Sequence, residues 1–393
     1  MNRFVALALL LALSGDFLMA QSALPPAPPQ PSGIQRTSNP DRRGTAASVR
    51  VPDLPLVFTG QVFSSGSVGD IRAETEGALH ALEAVLARAG STMAGIVRLN
   101  AYVADDAAVG AVEAVVAARF ADAPPAFTLA VSPLTKTNAR VAIDAVATSS
   151  RRPDKVEVLD SAAAILPAGG KVFISGQVVR GTDLASGANL TMGGLFRSLT
   201  HLGLSKTDVV QVKAFIQPFS DHAAAAREIA ASFAGGPVPP IVIMEWVSDI
   251  FTEIELVAAA DALPLAANHG IVYTTLPWLT PSPRFSHVGQ VAAGTPLIFI
   301  GAFHGDDTAD PRTQMKTLFE RLGSVLFEAG SSYRNLAKAT YYLQHADTRT
   351  LLGDIRAVYY DPTRAPAASA LGVKSLGRPG RAAAVDLIAV PIK

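Results

Sequence analysis

Acidic side chains in otherwise apolar strands are the residues of this sequence best suited to chemistry. Asp144 lies in RVAIDAVA, Glu255 in FTEIELVAAA and Asp386 in RAAAVDLIAV. In the second of these segments Glu253 and Glu255 are two residues apart, so a strand places them on one face. Two neighbouring carboxylates raise the pKa of one of them and can perform acid/base chemistry. A solvated strand edge explains the same pattern, so both interpretations stay open.

Other residue types offer less chemistry. The seven histidines lack metal-ligand spacing such as H-x-x-x-H, and the loop HGDDTAD at residues 304–310 is as typical of a polar turn as of a metal site. Cysteine is absent, which excludes disulfides, thiolate metal sites and cysteine nucleophiles. Nucleophile-elbow, Walker and dinucleotide-binding motifs are also absent. We therefore predict no metal site and no cofactor.

The elements that position the acids recur along the chain. LVFTGQVFS at 56–64, KVFISGQVV at 171–179 and LIFIGAFHG at 297–305 are three versions of one phrase. Each is followed by a helix with apolar residues at three- and four-residue spacing, and then by a glycine in a helix C-cap position. These glycines are Gly90, Gly203 and Gly330.

The recurrence predicts three α+β units of about β-β-α-β-α-β-β, with both helices on one face of a sheet. We place them at residues 51–150, 151–264 and 265–393. The connections between them are short, which favours a closed pseudo-threefold assembly over three separate domains on a string. In such an assembly the open apolar faces bury one another.

The first 50 residues differ from the rest. Residues 1–23 have a basic start, a short apolar run and small residues at the end, which is the pattern of a secretory signal peptide; an N-terminal anchor is the alternative. Residues 24–50 are proline-rich and polar, so we predict a disordered linker. We therefore expect an exported protein, periplasmic or secreted.

Charge and composition limit the classes of molecule that the protein is expected to bind. The chain has 33 basic and 33 acidic residues, so its formal net charge is zero. Binding to nucleic acid or to an anionic membrane demands concentrated positive charge, and we predict neither. We also predict no membrane span once the signal peptide is cleaved. The remaining expectation is a monomer that binds a small metabolite.

The repeated phrase, the helix, the glycine cap, the paired prolines and the closing EIELVA together resemble the RidA/YjgF family of reactive intermediate deaminases. The resemblance covers nearly all of residues 51–393, once per unit. It implies a fold like chorismate mutase of the bacillus type, in which three subunits surround a central β-barrel. Ligand clefts then lie at the three interfaces, and here one polypeptide would supply all three subunits.

The resemblance also implies site residues. The family's catalytic acid, which positions the attacking water, corresponds to Asp144, Glu255 and Asp386. The family's carboxylate-binding arginine is missing: its positions hold Phe127, Ile241 and Ala368. Arg140 is a candidate replacement because it shares strand parity with Asp144. The glycines and glutamines of the repeated phrases are expected to complete the substrate clefts: Gly60, Gln61, Gly176, Gln177 and Gly301.

These residues lead to one main functional expectation and two alternatives. The main one is an exported protein whose interface clefts bind a small metabolite, with deaminase activity reduced or lost because the arginine is missing. The first alternative is an active 2-imino acid or enamine deaminase with a relocated carboxylate clamp. The second is a noncatalytic scaffold that binds protein partners.

Overall fold

Six α-helices are present in the computed structural model, which describes residues 33–66, 69–260, 270–307, 310–345 and 347–392. The predicted signal peptide, residues 1–23, lies outside the described residues. No described helix is long and apolar enough to cross a membrane. The helices are α1 (Ile71–Arg88), α2 (Val109–Arg119), α3 (Leu184–His201), α4 (His222–Ser232), α5 (Pro311–Glu328) and α6 (Thr348–Tyr359).

The three long helices begin and end by local chemistry. Aspartate side chains cap α1, α3 and α5 at their N-termini by accepting backbone N–H groups. Gly90, Gly203 and Gly330 follow their C-termini with φ of 68°, 74° and 72°. Glycine adopts this left-handed conformation without the steric penalty that other residues meet. The predicted helix ends are therefore confirmed.

Eighteen strands accompany the helices in the described residues. They are β1 (Gln35–Ser38), β2 (Ala46–Val51), β3 (Leu56–Thr59), β4 (Ile96–Val103), β5 (Ala126–Val131), β6 (Val141–Thr148), β7 (Glu157–Asp160), β8 (Ala163–Leu166), β9 (Gly170–Gln177), β10 (Val209–Ile216), β11 (Ile241–Glu245), β12 (Thr252–Ala260), β13 (Ile271–Thr274), β14 (Val288–Val291), β15 (Leu297–His304), β16 (Leu336–Leu343), β17 (Ala367–Gly372) and β18 (Ala383–Ala389).

The strands form two open sheets. One sheet has six strands in the order β11-β10-β12-β9-β14-β13. The other contains the paths β5-β4-β6-β3-β8-β7 and β17-β16-β18-β15-β2-β1, which a single parallel bridge between Ala46 and Ala126 joins. These pairings establish a mixed α+β fold. They do not close a sheet on itself, so the expected central barrel is not confirmed.

The hairpins that precede each repeated phrase pair with a distant part of the chain. Strand β8 pairs with β3, β14 pairs with β9, and β2 pairs with β15 near the other end of the sequence. The sheets therefore do not follow the predicted boundaries at 150 and 264. The segment before the first predicted unit, and the start of the second and third units, each supply a hairpin to a sheet that another part of the chain completes.

The predicted disordered linker over residues 24–50 is wrong where the structure describes strands. Strand β1 pairs with β2, and β2 continues along β15. All of β2 except Arg50 is buried. The proline-rich composition describes only the first part of the segment, and the short alternating run AASVRV becomes ordered because β15 supplies backbone partners from almost 250 positions away.

Apolar side chains fill both faces of the sheets. Beneath each pair of helices lies a separate cluster of buried residues. A further cluster lies on the faces that the helices leave open, and it combines strands of all three parts of the chain, with Phe58, Phe173 and Phe299 among its largest members. The sheets thus bury their open faces against one another, as the short connections predict.

Candidate active site

A cavity of about 530 Å³ lies where the connection from β11 to β12 meets the end of β16. Its wall carries the carboxyl group of Glu253 and the guanidinium group of Arg349. Asp249, Gln344 and His345 are further polar residues of the lining. Trp246 and several aliphatic side chains supply the apolar part. A concave site with few polar groups on an apolar wall is the usual form of a small-molecule site.

Glu253 is the acid of this cavity. It lies at the start of β12 and is only 8% exposed. Gly176 makes room for it, because a Cβ atom at that position would lie 2.0 Å from Glu253 Oε1. Burial and the charge of Glu255 raise the pKa of Glu253 to about 7, against the opposing charge of Arg349. A carboxyl group with this pKa can take up and release a proton near neutral pH.

Arg349 is the cation of the same cavity. It lies in the first turn of α6 and is exposed, and its Nη2 atom donates a hydrogen bond to the backbone oxygen of Ala370 at 2.8 Å. That contact uses one of the five N–H donors of the guanidinium group. The remaining donors can bind a carboxylate, for which a guanidinium group is geometrically suited.

The structure places the three predicted catalytic acids in buried polar networks. Glu255 accepts hydrogen bonds from Lys338 Nζ and Ser369 Oγ, both at 2.5 Å. Burial would raise the pKa of Glu255, but the charges of Lys338 and Lys213 outweigh it and lower that pKa. The carboxylate of Glu255 is therefore held by hydrogen bonds to other protein groups.

Asp386 and Asp144 are held in the same way. Asp386 pairs with Arg98 at 3.1 Å and accepts a hydrogen bond from Tyr342 at 3.1 Å. Asp144 accepts hydrogen bonds from Asn100 at 2.8 Å and from Tyr102. Neither these two acids nor Glu255 line the 530 Å³ cavity. Their contacts indicate a structural role at the positions where the resemblance implies water positioning.

Three of the network residues occupy the same place in their strands. Arg98, Gln211 and Lys338 are the third residues of β4, β10 and β16. Each reaches a different part of the chain: Arg98 reaches Asp386, Lys338 reaches Glu255, and Gln211 donates to the backbone oxygen of Thr59 at 2.8 Å. Equivalent strand positions therefore carry equivalent contacts between the predicted units.

The predicted substrate residues meet in pairs across these same contacts. A Cβ atom on Gly301 would lie 2.5 Å from the backbone of Phe127, and one on Gly60 would lie 3.8 Å from the backbone oxygen of Ile241. Ala368 donates its N–H group to Ser175 Oγ at 2.8 Å, next to Gly176. The structure thus brings each of these glycines next to a predicted substrate residue of another part of the chain. The backbones approach closely at these contacts, and glycine permits that approach.

The two glutamines of the phrases have other partners. Gln61 Oε1 accepts the N–H group of Ile243 at 3.3 Å. Gln177 Nε2 donates to Ser198 Oγ on α3 at 2.8 Å, within its own unit. Arg140 also differs from its predicted role, because it pairs with Asp105 at 3.2 Å and not with Asp144. None of these three side chains lines the 530 Å³ cavity.

A second cavity, of about 330 Å³, lies between the turn from β1 to β2 and the end of β15. Its arginines are already paired: Arg42 and Arg378 both contact Glu113, at 3.0 and 2.6 Å. Burial and the charges of nearby arginines lower the pKa of His304 to about 3, so this ring is neutral at physiological pH. Two of its carboxylates, Asp41 and Asp306, both pair with Arg321.

The loop HGDDTAD is tied into this region by ion pairs. Asp306 pairs with Arg321 at 3.3 Å and Asp307 with Arg381 at 3.8 Å, while Asp310 caps α5. In the described part of the chain, no group of three or more histidine, aspartate or glutamate residues could hold a metal ion.

Sequence reasoning singled out Glu253 together with Glu255 but missed Arg349, the second charged residue of the larger cavity. Glu253 and Glu255 lie on the same strand. The sequence pattern alone does not say which of them forms an ion pair and which lines a cavity. Arg349 carries no signal of its own, because the sequence does not show that the first turn of α6 and the start of β12 line one cavity.

Comparison with known proteins agrees with the repeated phrases. The family model described as Endoribonuclease L-PSP matches residues 48–149. Among curated proteins, none matches the chain.

Several solved structures are similar to about a quarter to a third of the chain. A member of the YjgF/YER057c/UK114 family from Mycobacterium tuberculosis is 30% identical, and the match covers 30% of this chain and 99% of that one, with a TM-score of 0.23. YyfB of the Rid family from Yersinia pestis is 30% identical over 27% and 86% of the two chains, with a TM-score of 0.25. RidA from an Antarctic Psychrobacter is 19% identical over 24% and 80%, with a TM-score of 0.23.

The family model matches the first of the three predicted units, and the repeated phrases extend the same sequence pattern to the other two. The chain therefore belongs to the YjgF/RidA family.

Proposed function

We propose that this protein hydrolyses a 2-imino acid or its enamine tautomer, and that it does so in the 530 Å³ cavity alone. The observation that carries the proposal is the presence of Glu253 and Arg349 on one cavity wall, with the pKa of Glu253 raised to about 7. The arginine that the family places elsewhere is thereby replaced by one from α6. Deamination is what membership in the family implies for such a site.

In this reaction Arg349 binds the substrate carboxylate and so orients the imine carbon toward Glu253. Glu253 in its ionised form accepts a proton from water, whose oxygen attacks that carbon. The same carboxyl group returns that proton to the nitrogen, which gives a carbinolamine, and then transfers the proton of the new hydroxyl group to the nitrogen as the C–N bond breaks. Ammonia leaves and a 2-keto acid remains, so that one imine and one water give one keto acid and one ammonia.

We also propose that three units form this site as a covalent pseudo-trimer. Three observations support it: the three sheet paths share one strand order, the hairpins pair from unit to unit, and the third residues of β4, β10 and β16 make parallel contacts. The cavity then lies at the contact between the second and third units. A central barrel is part of this proposal, with the shared apolar cluster along its axis.

The other two contacts lack the acid. Glu253 stands two residues before Glu255, and the same positions before Asp144 and Asp386 hold Ala142 and Ala384. Both alanines are buried in an apolar cluster. Without a carboxyl group at this place they have no general base, which restricts the activity to one cavity per chain.

Imine hydrolysis tests the proposal directly. An amino acid oxidase generates the 2-imino acid, and its disappearance is followed with and without the protein. Glu253→Gln and Arg349→Met are each expected to lower kcat/KM by about 10²-fold or more, the usual size of a general-base contribution. Glu245→Gln, at the end of β11, is the matched control and keeps the rate. A wild-type rate in Glu253→Gln would contradict the assignment.

Export is a separate part of the proposal and rests on the N-terminal sequence alone. The basic start, apolar run and small residues of positions 1–23 support cleavage near Ala20 to Ala23. N-terminal sequencing of the protein recovered from the periplasm or medium is expected to begin in this region. Recovery of the intact N-terminus in the cytoplasm would contradict export.

A further inference from the structure

The cavity contains a buried donor that no group of the protein uses. Trp246 follows β11, is only 3% exposed and lines the cavity. Its Nε1–H group has no hydrogen-bond partner among the described residues. An indole N–H group is a donor only, and buried donors in folded proteins are nearly always satisfied. A bound molecule with an acceptor at this point would complete it.

A buried acceptor lies on the same cavity. Gln344 directly follows β16 and belongs to the lining, and its Oε1 atom is buried without a partner among the described residues. This atom accepts hydrogen bonds and cannot donate them. A ligand that satisfies both Trp246 and Gln344 must therefore offer one acceptor and one donor.

The remaining wall limits the rest of the ligand. Val178, Val247, Ile250 and Leu343 line the cavity and offer only apolar contact. Methylene groups fit against such side chains, whereas an additional charge would lose its hydration without gaining a partner. Trp246 and Gln344 thus add two unpaired polar atoms to a cavity whose other walls are largely apolar.

We infer that the substrate is a 2-imino acid whose side chain ends in a primary carboxamide. Its carbonyl oxygen accepts from Trp246 Nε1–H and its NH₂ group donates to Gln344 Oε1. A carboxylate lacks the donor, an ammonium group lacks the acceptor, and an aliphatic end lacks both. The inference rests on the proposed function, because Arg349 and Glu253 must hold the other end of the same molecule.

Binding of the stable keto acids tests the inference without any turnover. The probes are 2-oxosuccinamate, which carries the amide, and 2-oxo-4-methylpentanoate, which has nearly the same shape and no polar end. Calorimetry on the full chain is expected to give a Kd at least tenfold lower for the amide. Trp246→Phe and Gln344→Leu should each reduce that preference to threefold or less, while the control Trp278→Phe retains it.

The outcomes separate this inference from the proposed function. Equal binding of the two probes by the wild-type protein, or no binding of either, would overturn the inference. So would an unchanged preference in both Trp246→Phe and Gln344→Leu. Imine hydrolysis without preference for the amide leaves the proposed function standing, whereas a tenfold binding preference without hydrolysis supports the amide site and contradicts the enzyme.

Discussion

The raised pKa of Glu253 predicts a specific dependence of stability on pH. An ordinary glutamate has a pKa of 4.5, and burial together with the charge of Glu255 raises that of Glu253 to about 7 in the folded protein. The folded state therefore favours the protonated form. Its stabilising effect is complete below pH 4.5 and is lost as the pH rises through 7. A pKa difference of this size corresponds to about 3 kcal/mol of the free energy of unfolding.

Glu253→Gln removes the titration and keeps the shape of the side chain. We expect the variant to match the wild type near pH 4.5 and to exceed it by about 3 kcal/mol at pH 8, because only the wild type must then bury a charge. The slope of the difference reaches at most about 1.4 kcal/mol per pH unit. Buried side chains such as this one, at 8% exposure, are little screened by solvent.

Urea unfolding at intervals from pH 4.5 to pH 8 measures this difference. Glu245→Gln provides the matched control: its carboxylate pairs with Lys374 at 2.6 Å, and we expect a constant offset from the wild type over this range. Other titrating groups cancel because both proteins contain them. A difference between Glu253→Gln and the wild type that stays flat from pH 4.5 to 8 would refute the reasoning.

Three further changes test the remaining contacts. Lys338→Met leaves Glu255 buried without its cation, so urea unfolding should show a loss of about 3–5 kcal/mol that the added change Glu255→Gln largely restores; no restoration would argue against the ion pair. Removal of residues 1–51 exposes the edge of β15, and gel filtration should then show self-association, whereas a stable monomer would show that the hairpin is dispensable. Gly176→Ala displaces the Glu253 carboxyl group and should lower imine hydrolysis at least tenfold with little change in Tm; an unchanged rate would count against this geometry.

Local features of the fold could be read from the sequence. The ends of the long helices are predictable because a helix needs a residue with positive φ after its last turn, and Gly90, Gly203 and Gly330 are placed accordingly. The closing strands with their acidic residues are also predictable, because alternating or continuous apolar residues describe a buried strand wherever it lies. These signals depend on neighbouring residues only.

The pairing of the hairpins could not be read in this way. Strand β2 has few residues and follows a proline-rich segment, so its own composition gives no reason to expect order. Its partner β15 begins at Leu297, and nothing local connects the two. The same limit applies to the site. Strand periodicity places Glu253 and Glu255 on the same face, and their different surroundings depend on Lys338 and Ser369, both more than 80 residues further along.

A single chain can also make its three contacts different, which separate identical subunits cannot do. In a homotrimer one substitution changes all three interfaces, so a catalytic carboxyl group is either kept three times or lost three times. Here the position two residues before the acid of each closing strand holds Ala142, Glu253 or Ala384, so the three predicted units differ at this position. A buried carboxyl group with a raised pKa costs stability at neutral pH, and the two alanines avoid that cost. Under the proposed function, covalent linkage thus confines the destabilising residue to the one cavity that uses it.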